Sequence, residues 1–484
     1  MKKIGLLALF VLAGIIGLQS CEDMDDKAVP VNDFIWKGMN LYYLWKDNVQ
    51  DLNDNRFANQ GELNNYLSNF SSPESLFESL IYERQTVDRW SVIYPDFYLL
   101  ESALQGTSKS NGVEYGLMYK PGSQTDIFGY VRYILPNSDA SGKDIHRGTI
   151  FYAVNGTPLT TSNYRSLLNA DTYTLNFADH NDGLITPNGQ SISLNKTQYS
   201  ENPVHRTQVY EQGAHKIGYL MYNGFYSNYD SNLNNAFGEL SSQGITDLVL
   251  DLRYNSGGYI RSATYLASMI TGQFTNQIFG KQQWNSTLQN YYNSNNPEAL
   301  EERFTSTLSN QSAINHLNLN RVYILTTQST ASASELLINC LKPYIDVIVI
   351  GDTTIGKNVG SITLYDSPDF SGRNRSGNHR YAMQPIVLKI VNKDGFGDYS
   401  NGIEPTPGLE LREDMGNLGT IGDINESLLS TAIGIITNQS RMRRSSPDVM
   451  HRGFKNSKNV KPFGDEMYLE EVPEGMQHLV KKLQ

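Results

Sequence analysis

Cysteine is almost absent from this chain: 484 residues contain 2, Cys21 and Cys340. With so few thiols no disulfide framework can hold the fold, which must rest on its apolar core. Long apolar runs are also missing. The run from Ile4 to Gly17 has about 14 residues, too short to cross a bilayer as a helix. Positive charge is in deficit, 39 Lys and Arg against 50 Asp and Glu, for a formal net charge of −11. No basic stripe offers nucleic acid a footprint, so no nucleic-acid partner is expected. Of the 8 histidines, none occupies a recognisable catalytic motif. His215, just before an apolar strand, is the one candidate base among them and reads more simply as a surface residue.

What is present begins with an export signal. Met1-Lys2-Lys3 is basic, the short apolar core follows, and Leu18-Gln19-Ser20-Cys21 resembles the lipobox cut by lipoprotein signal peptidase. Cleavage before Cys21 predicts an exported, lipid-anchored protein at the outer membrane, on its periplasmic face or at the cell surface. Loss of Lys2 and Lys3 takes the net charge from −11 to −13. With Cys21 lipidated, Cys340 remains as a small core residue. Glu22-Asp23-Met24-Asp25-Asp26 resembles the acidic tethers of some Bacteroidetes surface lipoproteins.

The chain beyond the tether divides by composition and period. Residues 31–104 carry Phe34, Trp36, Met39, Tyr42, Leu76, Phe77 and Leu80 at helical spacing, which predicts a small N-terminal helical domain. Residues 105–207 shift to short alternating segments and predict a β-rich module. Residues 208–437 alternate strands and helices, the pattern of an α/β core with a central sheet. Residues 438–484 read as a weakly ordered tail, and the polar stretch 283–318 as a lid or a surface insertion.

The richest chemistry lies in Thr330-Ala331-Ser332-Ala333-Ser334-Glu335, between the apolar strand Val322–Leu325 and a helix from Glu335. Ser332 stands where a helix begins, so unpaired N–H groups face its hydroxyl and any oxyanion formed beside it. Hydroxylated residues also cap helices without doing chemistry. Lys357, in Gly351-Asp352-Thr353-Thr354-Ile355-Gly356-Lys357, favours the chemical reading, because it follows the next strand, Val347–Ile350. A lysine base must be neutral, which requires burial against apolar neighbours such as Ile355 and Val359. The same glycine turn fills a phosphate-binding loop as far as the lysine, but Asn358 stands where a magnesium-binding Ser or Thr is required. With an export signal ahead of it, no nucleotide is expected.

Two further features accompany this pair. Asp247–Arg253 runs as a buried strand into Tyr254-Asn255-Ser256-Gly257-Gly258, placing glycine N–H groups at a carboxyl-end crevice. In the β-rich module, Glu114-Tyr115-Gly116-Leu117-Met118 and the later Gly148-Thr149-Ile150 and Val154-Asn155-Gly156 resemble the order of a PDZ domain, with Thr149 where an aspartate is usual. A PDZ-like reading predicts that N–H groups of Tyr115, Gly116 and Leu117 receive a peptide strand.

In this order, a PDZ-like module, DLRYNSGG, TASASE and a GK turn resemble the C-terminal processing (tail-specific) serine proteases. The resemblance covers about 105–437, including Gly402-Ile403-Glu404-Pro405. It implies Ser332 as nucleophile, Lys357 as general base, and Gly258 and Ala333 N–H groups as the oxyanion hole. It implies cleavage of extended or unfolded polypeptides near their tails, with neither metal nor organic cofactor. Many members carry a glutamine four residues after the lysine to orient it, and Ser361 stands there instead, with Asn358 as a nearby substitute. That departure leaves a second reading, a noncatalytic peptide-binding lipoprotein that uses only the PDZ-like groove.

Overall fold

The computed structural model describes residues 30–438, 451–460, 464 and 467–471. The expected signal peptide, Cys21 and the acidic tether lie outside the described residues. Among those described, no helix is long and apolar enough to cross a membrane.

Helix α1 (Pro30–Tyr42) starts on a proline, whose missing N–H costs nothing in a first turn. Short helices at Gln60–Leu67 and Pro73–Ser79 follow, capped by the Asn59 and Ser72 side chains. This helical segment is not independent in its packing. Phe34, Met39, Leu76 and Phe77 share one buried cluster with Leu250, Phe279 and Leu336 of the α/β core. Val92–Tyr94 then pairs with Ala382–Gln384 and ties the segment to the far end of the core.

The β-rich module contains β1 (Val113–Tyr119), β2 (Ile127–Ile134), β3 (Ile150–Val154), β4 (Thr172–Asn181) and β5 (Leu184–Asn195), hydrogen-bonded in that order. Asn155 and Gly156, both at positive φ, make the two-residue turn after β3, as an Asn-Gly pair favours. The module has its own apolar cluster around Val131, Phe151 and Leu175.

The α/β core then runs β6 (Val204–Gln212), β7 (His215–Tyr222), α2 (Asp230–Ser242), β8 (Asp247–Asp251), β9 (Gly258–Tyr259) and α3 (Ile260–Thr271). It continues through β10 (Ile278–Trp284), α4 (Ser286–Asn295), β11 (Glu301–Arg303), β12 (Arg321–Thr326), α5 (Ala333–Leu341), β13 (Asp346–Gly351), β14 (Val359–Ile362), β15 (Ile386–Asn392) and α6 (Ser427–Ile436). One sheet has the order β6-β7-β8-β12-β13, parallel from β7 onward. Strands β7, β8 and β12 are apolar and mostly buried, as crossover helices on both faces require, whereas the antiparallel edge strand β6 is polar and largely exposed or half-buried. Cys340, on α5, is wholly buried in the shared core, and burial pushes its thiol pKa up.

The stretch read as a lid or insertion, 283–318, is built into the body. Asn285 donates to the Leu41 and Tyr43 carbonyls at 2.9 and 3.2 Å, joining α4 to the end of α1.

The segment read as a weakly ordered tail is the larger departure. Its described parts form β16 (Gly453–Asn456), antiparallel to β1, and β17 (Met467–Leu469). The second sheet has the order β9-β17-β14-β15-β10-β11, so β17 lies between two core strands, parallel to both.

Candidate active site

Strand β8 ends in a buried ionic cluster. Arg253, wholly buried, donates from Nε to both Asp251 oxygens at 2.9 Å and from its two Nη atoms to Glu426 at 2.8 and 3.0 Å. A guanidinium out of water is tolerable only when fully paired in this way. Glu426 also accepts from Leu429 N–H, capping α6. Glu413 receives Arg147 at 2.6 Å, Arg253 at 3.3 Å and the Tyr254 hydroxyl at 2.6 Å. Burial alone would raise the Glu413 pKa, but Arg147 and Arg253 bring it down to about 2. Arg147 and Arg132 belong to the β-rich module. The Arg132 guanidinium lies 4.7 Å from the Tyr254 ring and donates to Ser329 at 2.7 Å, so this cluster docks the module beside the Ser332 turn.

Asn255 joins the glycine pair to that turn. Its carbonyl accepts from Ala331 N–H at 3.1 Å and from the Ser334 hydroxyl at 3.2 Å. Its side chain accepts from Gly257 N–H at 2.9 Å and donates to the Tyr222 carbonyl at 2.8 Å. Gly258 has φ +136°, and a Cβ there would collide with the Phe225 carbonyl oxygen. Only glycine can hold that backbone position next to the crevice.

Ser332 sits between β12 and α5 with φ +65° and ψ −115°, a conformation that side chains other than glycine adopt at a cost of about 1–3 kcal/mol. The residue is wholly buried, and among the described residues its Oγ has no hydrogen-bond partner. Ala333 opens α5, directly behind it.

Glu335 explains how the turn is held. Its Oε2 accepts from Ser332 N–H at 2.7 Å and from Lys357 N–H at 2.9 Å, while Oε1 accepts from the Thr354 hydroxyl at 2.5 Å and from Gly356 N–H at 2.6 Å. Burial raises the Glu335 pKa despite these four donors, which pull the other way. One carboxyl group thus brings the serine turn and the lysine turn together.

Lys357 is wholly buried, and its Nζ lies 5.1 Å from the centre of the Trp90 ring. Strand β14 follows, not the helix whose first turn a phosphate-binding loop requires. Ser361, also buried, donates from Oγ to the Met467 carbonyl at 3.4 Å, and the Asn358 side chain donates to the Gly397 carbonyl at 2.7 Å. His215 is at the start of β7, away from the carboxyl end where β8 delivers its glycines, and is paired with Asp247 at 2.8 Å. Gly116 and Leu117 pair with Asn456 and Lys455 of β16, and Tyr115 N–H donates to the Ser457 hydroxyl at 3.2 Å. The Tyr115 ring points into the module core, edge-on to Phe151. Among the described residues, no cluster of three or more His, Cys, Asp or Glu side chains is arranged to hold a metal.

Sequence reasoning gave no role to Glu335, although it ends the motif that contains Ser332. It missed Trp90 as well, which no local pattern links to a lysine 267 residues later.

Comparison with known proteins agrees with this geometry. Residues 216–373 match the family described as Peptidase family S41, a span that contains Gly258, Ser332, Lys357 and Ser361, and residues 30–92 match the Peptidase S41 N-terminal domain. A carboxyl-terminal-processing protease of Picosynechococcus sp. is 26% identical over 183 residues, 38% of this chain and 39% of that protein. The chloroplastic C-terminal processing peptidase of Tetradesmus obliquus is 25% identical over 287 residues, 56% of this chain and 57% of that protein. The chain therefore spans 39 to 57% of the length of these curated relatives. A solved Bacteroides fragilis chain assigned to the S41 proteases superposes with a TM-score of 0.64 at 26% identity, covering 84% of this chain and 98% of that one. The chain thus carries matches to Peptidase family S41 and to the Peptidase S41 N-terminal domain in chain order, and it shares the fold of a solved S41 chain.

Proposed function

We propose that the chain is a serine endopeptidase that cuts extended or unfolded polypeptides, with Ser332 as nucleophile and Lys357 as its base. The observation that carries this reading is Ser332 itself: a strained, buried residue at a strand-to-helix turn, with an unpartnered Oγ and its backbone tied through Glu335 to that of Lys357. Strain of this kind persists only where surrounding structure enforces it, and it clusters at reactive positions.

In the reaction, Ser332 Oγ attacks a peptide carbonyl while the Lys357 amine takes its proton and then delivers it to the leaving amine. Water next attacks the acyl-enzyme, and the same amine manages the proton of that step. The N–H groups of Gly258 and Ala333 receive the oxyanion, where loss of one donor costs about 3–4 kcal/mol. Among the described residues Ser332 Oγ has no hydrogen-bond partner, so the proton transfer requires the Oγ and the Lys357 amine to close into hydrogen-bond contact when substrate binds. Ser361 contributes a hydroxyl on the lysine strand, in place of the longer glutamine.

The PDZ-like module, docked on the core through Tyr254 and Glu413, offers an extended peptide the edge at Tyr115, Gly116 and Leu117 once β16 and Ser457, which pair with it in this structure, give way. Lipidation at Cys21 places the enzyme at the outer membrane, where exported polypeptides with free tails are its substrates.

The test is mass spectrometry of a denatured protein mixture incubated with the chain from residue 22 onward and with its Ser332→Ala form. New peptide termini made only by the former support the peptidase. Identical profiles from two folded proteins would instead favour a noncatalytic peptide-binding lipoprotein.

A further inference from the structure

We propose that the slot between β9 and β14, continued along the edge of β1, is the track on which an extended polypeptide binds, and that residues 453–460 and 467–469 of the chain occupy it as an internal competitor. This rests on the peptidase reading for its chemistry, but the placement of the segment does not.

The slot has chemical groups on both walls. On one side Gly258, the strand-end glycine tied to the Ser332 turn through Asn255, pairs with Met467, and Tyr259 pairs with Tyr468. On the other side Ser361, four residues after Lys357, pairs with Tyr468, and its hydroxyl donates to the Met467 carbonyl at 3.4 Å. A strand inserted here runs between the glycine and lysine elements of the site, where an extended polypeptide must pass to be cut. Backbone pairing of this kind is indifferent to side-chain identity and suits a ligand class defined by being unfolded.

The same segment takes up the module edge first. Lys455 and Asn456 pair with Leu117 and Gly116, Tyr119 N–H donates to the Arg452 carbonyl at 3.0 Å, and Phe454 sits edge-on between Tyr119 and Tyr164. Lys458 then reaches the Asn223 carbonyl at the end of β7. The competitor thus uses both halves of the track, the β1 edge and the β9–β14 slot, in one direction along the chain.

The rest of the site is in a matching state. Ser332 Oγ is unpartnered and Lys357 Nζ lies over Trp90. A cavity of about 880 Å³ opens beside the slot, lined by Gly257, Gly258, Tyr468, Tyr115 and Lys458, among others. It provides room for a longer polypeptide on the track than the short strands that fill it here.

The test compares the Ser332→Ala chain with the same chain ending at Arg452, using a fluorescein-labelled synthetic peptide of residues 452–471 and fluorescence anisotropy. A tethered competitor acts at an effective concentration near millimolar, so removing it should tighten peptide binding by about ten-fold or more. In chains that retain Ser332, casein cleavage should rise with the same truncation, and added peptide should suppress it. A folded truncated chain that binds the peptide no better than the full chain would overturn the proposal. If truncation impairs folding, amide hydrogen exchange on the full Ser332→Ala chain decides: excess casein must speed exchange at 467–469, and unchanged protection there overturns the track. Gain of peptide binding with no hydrolysis by any chain would support the track and sink the peptidase reading. Equal hydrolysis by full and truncated chains would do the reverse.

Discussion

The backbone N–H groups of Ser332 and Lys357 converge on one oxygen atom, Glu335 Oε2, at 2.7 and 2.9 Å. Replacing that carboxyl by an amide puts an N–H₂ group among four donors. Glu335→Gln should destabilise the fold by about 1–3 kcal/mol, the usual loss for unsatisfied buried donors. On the Ser332–Lys357 proposal it should also lower kcat with little change in KM, because it misaligns the Ser332 and Lys357 turns without touching the proposed track. Thermal melting and casein kinetics would test this. A variant with wild-type melting temperature and turnover would show that the convergence has no mechanical role.

Ser332→Ala should abolish cleavage and leave stability within about 0.5 kcal/mol, since the Oγ makes no bond that folding depends on. Ser332→Gly should be equally inactive but more stable, by up to about 1–3 kcal/mol, because glycine accepts φ +65° without strain. Calorimetry separates the two. If glycine proved no more stable than alanine, the strain assigned to this turn would be wrong.

Trp90→Leu removes the ring that faces the Lys357 amine at 5.1 Å. A cation–π contact is worth about 0.5–1 kcal/mol at an exposed site and about 2 kcal/mol when desolvated, and here the amine is buried and the ring half-buried. If the amine has to leave the ring to reach Ser332, its loss should raise kcat by between roughly two-fold and thirty-fold. A slower variant would mean that Trp90 positions the base instead of restraining it.

Asp230, at the start of α2, accepts from the Ser262 hydroxyl at 2.6 Å, and burial raises its pKa from 3.8 to about 7. The folded chain therefore keeps a proton that the unfolded chain releases near pH 4, so this group's contribution falls as pH rises from about 4 to 7. Asp230→Asn, which can still accept from Ser262, should match the wild type near pH 4 and exceed it by about 1–3 kcal/mol at pH 8. Denaturant midpoints at the two pH values provide the check, and equal differences at both would contradict the assignment.

Glu413 has the opposite sign. Its pKa is depressed to about 2, so its stabilisation is complete above 4.5 and disappears as pH falls toward 2. Glu413→Gln should cost on the order of 3 kcal/mol at pH 7, because it leaves Arg147 and Arg253 short of a buried partner. That penalty should shrink in acid, which melting at pH 7 and pH 3 would reveal.

Most of the α/β core was legible because its strands are continuous apolar runs and its helices carry a 3.6-residue period. The turns were legible through residue types with few uses: Gly257-Gly258 after a buried strand, and Ser332 before a helix. Contacts distant in sequence were not. Trp90 reaches Lys357, Arg147 reaches Glu413, and Asn285 reaches Leu41 with nothing local to announce them. The segment after residue 438 misled for a related reason. A three-residue strand such as Met467–Leu469 has too little periodicity to stand out from polar surroundings, and its order comes from the two strands that flank it. The helical segment 31–104 was recognisable as helical, but its stripe of aromatics gave no sign that it would share a core with the sheet.

The position of β17 also dictates an order of assembly. Strands β9 and β14 are made 209 and 108 residues before Met467, yet in the finished sheet they meet across it, not each other. Pairings this distant in sequence form late, because the loop must close before the contact rewards it. A chain emerging from a ribosome can therefore complete its Ser332 turn and its Lys357 turn while the strand that separates β9 from β14 is still unmade. Each newly made molecule passes through an interval in which the slot is open, and that interval ends when residues 467–469 arrive.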